Sequence, residues 1–156
     1  MLTRPLGKAT AAESLVRLDV ALAGGLDHLQ GGQAVSLRLD AGEDRAGEAA
    51  GDKLKSGGAK KVLCVIHEQG NVGHTDRCAG VKSKFAQTEN FYVNGKDMPS
   101  VQSAITSKLQ QDKTIDSVLA LGGPYAMTAT KSVKESGSKA KVFTFDTSSE
   151  VIGAIK

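Results

Sequence analysis

Apolar positions from residue 43 onward follow an alternating pattern of helices and short strands. Residues 43–56 place Ala46, Ala49, Ala50 and Leu54 on one helical stripe, and Gly57 and Gly58 directly follow it. The next run, KVLCVIH, is almost continuously apolar, which is typical of a strand buried on both faces. The pattern therefore predicts a helix over 43–56 and a buried strand over 61–66.

The same alternation continues toward the end of the chain. After Gly73, Cys78, Val81 and Phe85 recur at helical spacing, and a short strand at 91–93 ends at the turn Asn94-Gly95. Asp97 and Pro99 are a cap-like acid and an early proline at the start of the next helix. The remaining predicted elements are strands at 117–121 and 141–145, a helix over 125–136 that Gly137 ends, and a helix start over 148–156.

Repeated βα units predict an α/β fold: an open parallel sheet with helices on both faces, in which the strand at 61–66 is central. Ligands of such sheets bind beyond the carboxyl ends of the strands. The loops at 67–75, 94–97, 122–125 and 146–149 are therefore the expected ligand-facing segments.

Residues 1–40 fit this rhythm poorly. Residues 9–23 suggest an amphipathic helix with Leu15, Leu18 and Leu22 on one side, and 34–39 suggest a strand. Neither joins the βα series, so we divide the chain into a poorly defined segment, 1–40, and an α/β domain, 41–156.

Charge and composition exclude several classes of function. The 20 basic residues are scattered among 17 acidic ones, without a basic block, which argues against binding of nucleic acid. No apolar run reaches the ~20 residues of a membrane span. The first residues lack the apolar core of a secretory signal, so the chain taken as written is expected in the cytoplasm.

The segment HEQGNVGHTDR, which follows the first predicted strand, is rich in hydrogen-bonding side chains, among them Gln69 and Asn71. Its glycines lack the lysine of a P-loop and the third glycine of a dinucleotide fingerprint, so no nucleotide cofactor is expected. Arg77, about one turn into the next helix, is either a donor to a polyol or carboxylate or a solvated helix arginine. Asp146 is either an acceptor for sugar hydroxyls or a helix N-cap.

Cys64, His67, His74 and Cys78 are candidate zinc ligands by residue type. Residues 64 and 67 point to opposite faces of a strand, so no metal site is expected. A disulfide between Cys64 and Cys78 is conceivable, and two buried free thiols fit the sequence equally well. No nucleophile, base and orienting acid share a spacing, so the chain is not expected to be an enzyme.

Three segments together resemble the sugar-binding branch of the type I periplasmic binding proteins, the solute receptors of ABC importers. They are GAKKVLCVIHEQGN…DRCAGVKSKF at 58–85, VLALGGPYAMTATKSVKESGSKAKVFTFD at 118–146, and SSEVIGAIK at 148–156. GEDRAGEAAGDKL, residues 42–54, is similar to the helix that enters the C-terminal lobe of those receptors. The resemblance implies a two-lobed receptor that closes on its ligand by hinge bending.

The resemblance implies a role for a residue only where this sequence matches the family's motif. In R-x-x-G followed by an apolar residue, Arg77 matches the arginine that binds sugar hydroxyls, and Asp146 in FTFD matches the sugar-binding aspartate. Gly122 stands where many sugar binders have asparagine, so backbone groups from Gly122 to Pro124 are expected to contact the ligand instead. The family chain is about twice as long, which implies an incomplete C-terminal lobe over 41–156 and weak sugar binding by this lobe alone.

The resemblance also implies partners and a compartment. The implied partners are a sugar and the membrane subunits of an importer, and the implied location is periplasmic or extracytoplasmic. A homodimer in which two copies close the site is an alternative arrangement. The effector-sensing domain of a lactose-repressor-type regulator shares this lobe, but residues 1–40 show no convincing helix-turn-helix. A flavodoxin-like enzyme is the other alternative, and it lacks a cofactor fingerprint here.

Overall fold

The computed structural model describes residues 15–17 and 42–145. The described residues contain one sheet of five parallel strands. The strands are β1 (Leu15–Arg17), β2 (Val62–Ile66), β3 (Thr88–Tyr92), β4 (Ser117–Ala120) and β5 (Lys141–Thr144). Their order across the sheet is β1-β5-β4-β2-β3, so all the carboxyl ends meet at one edge.

Four helices connect or precede these strands in the described residues: α1 (Glu43–Ser56), α2 (Val72–Lys84), α3 (Met98–Gln111) and α4 (Gly123–Ser136). The predicted start of α3 is confirmed, because the Asp97 carboxylate accepts a hydrogen bond from the Ser100 N–H at 3.2 Å. The predicted end of α4 is also confirmed: Gly137 is in the left-handed conformation with φ of 71°.

Alternating residues of the buried strands form two cores, one on each face of the sheet. Leu63 and Val65 of β2 pack with α3 and α4, whereas Val62, Cys64 and Ile66 pack with α1 and α2. All five residues of β2 are buried, as expected for a strand covered on both faces. The predicted open parallel sheet with helices on both faces is therefore confirmed.

Two predictions about strand placement are wrong. The strand at 61–66 is an interior strand, but β4 is the middle one of the five described strands. The interpretation of 9–23 as a helix is wrong at residues 15–17, which pair in parallel with β5. Leucines at helical spacing do not exclude a strand as short as three residues, and pairing with β5 decides the conformation. The predicted strand at 34–39, the helix start at 148–156 and Asp146 lie outside the described residues.

Candidate functional site

A cleft of about 690 Å³ opens at the carboxyl ends of β2, β3 and β4. It is lined by His67, Glu68, Gln69, Tyr92, Val93, Asn94, Gly95, Lys96 and Tyr125. Apart from Tyr92 and Val93 at the end of β3, these residues come from three of the four segments that the strand pattern predicts to face a ligand. Donors, acceptors and aromatic faces are all present, which is the mixture that a polyhydroxylated ligand requires.

Three residues, from the segments that follow β2, β3 and β4, contact one another at one wall of the cleft. The His67 ring stacks on the Tyr125 ring, with centroids 3.6 Å apart and planes 12° from parallel. The Tyr125 hydroxyl donates a 2.9 Å hydrogen bond to the Gly95 carbonyl, and the Gly95 N–H donates to the His67 carbonyl at 3.0 Å. We call His67, Gly95 and Tyr125 the three-loop junction.

Burial keeps the histidines of this region uncharged near neutral pH. Loss of solvation lowers the pKa of His67 to about 4, and the neighbouring His74 adds to the shift while Glu68 opposes it. Burial and the charge of Arg77 lower the pKa of His74, although the carboxylates of Glu68 and Glu43 act in the other direction. The two imidazole centroids are 4.3 Å apart, so simultaneous protonation of both rings is disfavoured. The cleft therefore presents His67 as a neutral ring.

The segment from β2 to α2 is fixed by its own side chains. Gly70 has φ of 89°, which glycine adopts without strain. The Asn71 side chain caps α2 by accepting from the His74 N–H at 3.2 Å, and its amide donates to Glu68 at 2.7 Å. Asn71 thus shapes the loop, and it orients the Glu68 carboxylate at the cleft.

Arg77 lies on the other face of the sheet edge, next to the start of α1. Its guanidinium forms an ion pair with Glu43 and lies over the ring of Phe145, with the guanidinium carbon 4.7 Å from the ring centroid. The Arg77 Nε atom is buried and has no hydrogen-bond partner within the described part of the chain. Phe145 immediately precedes Asp146 in the sequence.

Cys64 and Cys78 form a disulfide that joins β2 to α2, with Cα atoms 6.0 Å apart. Both residues are fully buried. This resolves the alternatives that the sequence left open and removes both thiols from the candidate zinc ligands. Within residues 15–17 and 42–145, no group of three or more His, Cys, Asp or Glu side chains is placed to hold a metal ion.

The predicted site residues occupy different parts of this edge. Gln69 lines the cleft, and Gly122 lies against the junction, where an added Cβ would be 3.3 Å from Tyr125 and 3.5 Å from His67. Pro124 is exposed in the first turn of α4. Arg77 is on the opposite face, beside Phe145, and is not among the residues that line the cleft.

Of the nine residues that line the cleft, only Gln69 was predicted from the sequence to bind the ligand. The other eight had no predicted ligand role: His67, Glu68, Tyr92, Val93, Asn94, Gly95, Lys96 and Tyr125. Position alone pointed to them, because each lies at or just beyond the end of a predicted strand. Nothing in the local pattern indicated that Tyr125, predicted as a helix start, turns back onto His67. In the part of the chain that the structure describes, no helix has both the length and the apolar character of a membrane span.

No protein-family model matches the sequence, and neither does any curated protein. Solved structures do match. A carbohydrate transporter from Acidothermus cellulolyticus 11B, in complex with myo-inositol, is 49% identical, with a TM-score of 0.66. The match covers 67% of this chain and 37% of that one.

Two more distant structures share the fold. The substrate-binding protein of a sugar ABC transport system from Bordetella parapertussis 12822 is 16% identical, with a TM-score of 0.61 over 69% of this chain and 36% of its own. An arabinose-binding protein from Geobacillus stearothermophilus is 17% identical, with a TM-score of 0.60 over 73% of this chain and 44% of its own.

This chain thus spans less than half the length of each of these three structures. Its parallel order of strands, its helices on both faces and its cleft at the carboxyl edge agree with the resemblance found in the sequence. The described residues thus share the α/β fold of sugar ABC transporter substrate-binding proteins, the type I periplasmic binding proteins that the sequence resembles, over part of the length of those proteins.

Proposed function

We propose that this chain binds a carbohydrate or a cyclic polyol as part of the solute-binding receptor of an ABC sugar importer. The observation that carries the proposal is the 49% identity to a carbohydrate transporter in complex with myo-inositol. Sugars and inositols share a ring with several neighbouring hydroxyls. The proposal involves binding and release, with no chemical step.

The cleft has suitable chemistry for such a ring. Gln69, Asn94 and Lys96 supply donors, and Glu68 supplies an acceptor for hydroxyl groups. Tyr92 is 50% exposed and presents an aromatic face against which the C–H face of a sugar ring can pack. With His67 neutral, Lys96 and Glu68 balance in formal charge, which favours an uncharged ligand.

Arg77 and Asp146 are proposed to bind hydroxyl groups on the other side of the same edge. The buried, unpartnered Nε of Arg77 supports this, because a ligand acceptor or the Asp146 carboxylate would satisfy it. Gly122 and Pro124 would contribute backbone groups. Asn71 would act through the loop that it caps, and Gln69 through direct contact.

We further propose that residues 41–156 form a C-terminal lobe that closes against a second lobe around the ligand, with importer membrane subunits as partners. An extracytoplasmic location is part of this proposal. The disulfide between Cys64 and Cys78 supports it, because disulfides persist in oxidising compartments and are rare in the cytosol.

Titration of the ¹⁵N-labelled chain with myo-inositol, arabinose, ribose and glucose, followed by amide chemical shifts, tests the function. We expect saturable shifts at 67–69 and 94–96 with weak, millimolar-range affinity, because one lobe satisfies only part of the hydroxyl groups. Citrate serves as the charged control and should produce no shifts there.

A folded chain that shows no saturable shift with any of these ligands would refute the proposed function. Micromolar binding accompanied by a doubled mass in sedimentation would instead show that two copies close the site.

A further inference from the structure

We propose that Tyr125 is a positioning residue that holds three ligand-facing loops as one preformed wall of the cleft through the three-loop junction. The inference rests on the proposed function, because it concerns how the same cleft binds its ligand. It assigns to Tyr125, His67 and Gly95 a role that is separate from direct hydrogen bonding to a ligand.

Hydrogen bonds join the loops pairwise. The first turn of α4, which follows β4, holds the loop after β3 through the bond from the Tyr125 hydroxyl to the Gly95 carbonyl, at 2.9 Å. The loop after β3 holds the loop after β2 through the bond from the Gly95 N–H to the His67 carbonyl, at 3.0 Å. Both polar groups of the Gly95 backbone are therefore committed to neighbouring loops.

The lack of room for a side chain at Gly95 shows how closely these segments approach one another. A Cβ at this position would lie 2.8 Å from the Tyr125 hydroxyl and would collide with the His67 carbonyl oxygen. Real Cβ atoms essentially never come within 3.0 Å of such neighbours, so the junction in this form requires glycine at residue 95. A requirement for space, and not an unusual backbone angle, explains this glycine.

Ring stacking adds a third contact, between the loop after β2 and the first turn of α4. The nearly parallel rings of His67 and Tyr125 leave no gap between the loop after β2 and the first turn of α4. Gly122 lies beside both rings, at ordinary or slightly tight contact distance for an added Cβ. The wall is thus packed on its inner side as well as hydrogen-bonded.

The junction matters for binding because its neighbours in sequence supply the polar lining. Glu68 and Gln69 directly follow His67, and Asn94 and Lys96 flank Gly95. A shift of Gly95 therefore moves two candidate hydroxyl partners at once, and a shift of His67 moves two more. Groups held in place before the ligand arrives need not be ordered during binding, which raises affinity.

Tyr125→Phe removes the hydroxyl that links two loops and keeps the ring that stacks on His67. Ser132→Ala is the matched control: the Ser132 hydroxyl donates a 2.9 Å hydrogen bond to the Gln102 carbonyl, between α3 and α4. Ser132→Ala likewise deletes a hydroxyl-to-carbonyl bond between distant segments, together with the 3.2 Å contact of the same hydroxyl with the Thr128 carbonyl within α4, and Ser132 is not among the cleft residues.

Amide exchange and affinity for myo-inositol are measured on both variants of the full chain. In Tyr125→Phe, we expect exchange of the Gly95 amide to accelerate and affinity to fall about threefold to tenfold, as the loss of one net hydrogen bond implies. Ser132→Ala should change neither quantity. Gly95→Ala, which forces the loops apart, should reproduce the loss of affinity with larger shifts at 67–69.

Unchanged exchange at Gly95 in Tyr125→Phe, or faster exchange with unchanged affinity, would overturn the positioning role. Should the wild-type chain bind no ligand of the panel while Gly95 exchange still responds to Tyr125→Phe, the proposed function fails and the preformed wall stands. Equal effects of Ser132→Ala on Gly95 exchange would show general destabilisation and would also overturn the proposal.

Discussion

The guanidinium of Arg77 lies over the ring of Phe145, 4.7 Å from its centroid, while Glu43 pairs with the same guanidinium. Helix α2, the carboxyl end of β5 and the start of α1 thus meet at Arg77. Because Asp146 is the next residue after Phe145, this contact brings Arg77 to the strand end where the second sugar-binding residue is expected.

Arg77→Ala is predicted to weaken binding of myo-inositol and sugars about tenfold to a hundredfold. The reason is that a hydrogen bond from a charged donor contributes about 1.5–3 kcal/mol. Arg77→Lys should restore little of the lost affinity, because the lysine ammonium cannot reproduce the planar array of donors on a guanidinium. Arg45→Ala removes an exposed arginine of α1 and is the control. Wild-type affinity in Arg77→Ala would show that this arginine only stabilises the fold.

Close packing of α1 on α2 holds the backbone around Arg77. A Cβ at Gly47 would collide with the Arg77 carbonyl oxygen, and a Cβ at Gly80 would collide with the Asp44 carbonyl oxygen. Gly47→Ala is therefore predicted to reduce the free energy of unfolding by about 1–3 kcal/mol, measured by urea denaturation.

Gly57→Ala, at the end of the same helix, offers the comparison. Its Cβ would be 3.2 Å from the Lys53 carbonyl oxygen and its φ of −81° suits any residue, so we expect a smaller loss. An equal or larger loss for Gly57→Ala would contradict the importance of the helix contact.

The disulfide between Cys64 and Cys78 is predicted to stabilise the domain by about 3 kcal/mol, since it closes a loop with a sequence separation of 14. The double substitution Cys64→Ala with Cys78→Ala should lower the urea midpoint accordingly. Thiol titration of the non-reduced, denatured chain should find no reactive thiol. Two titratable thiols under those conditions would contradict the bond.

Elements with a long, regular apolar pattern were predicted well from the sequence. Helix α1 was predicted at its observed bounds, because Ala46, Ala50 and Leu54 share one face and Gly57 ends it. Residues 15–17 were predicted wrongly, since three residues are too few to distinguish a strand from a helix by period. Pairing with β5 supplies the missing information, and that pairing is not local.

The candidate site was predictable as a location more than as a set of contacts. Parallel strands place their carboxyl ends at one edge, and Gln69 was found there by that rule. The stack of Tyr125 on His67 joins residues distant in sequence, so no local pattern encodes it. The expected role of Arg77 in binding sugar hydroxyls stays a prediction, and the local pattern gave no sign of its described partners, Glu43 and Phe145.

Acidification should destabilise the domain through His67. The pKa of His67 is about 4 in the folded chain against 6.5 for a free histidine, so the unfolded chain binds more protons between these values. The free energy of unfolding therefore falls as the pH drops from about 6.5 toward about 4. His67→Phe keeps a ring against Tyr125 and should show a smaller fall between pH 7 and pH 5 in urea denaturation. An identical pH dependence in both proteins would refute the assignment.

Gly122→Asn tests whether the junction has replaced the asparagine that many sugar binders of this family carry after the middle strand. The backbone at Gly122 is extended, with φ of −146°, so asparagine fits the backbone without strain. Its Cβ, however, would lie 3.3 Å from Tyr125 and 3.5 Å from His67, and the remaining side-chain atoms need the space around the stacked rings. We therefore expect the asparagine to displace the Tyr125 ring, to accelerate amide exchange at Gly95 and to weaken binding of myo-inositol. Gly122→Ala adds only the Cβ and should retain most of the affinity. If Gly122→Asn binds myo-inositol more tightly than the wild-type chain, the cleft accommodates the family's asparagine and the stacked rings do not occupy its place.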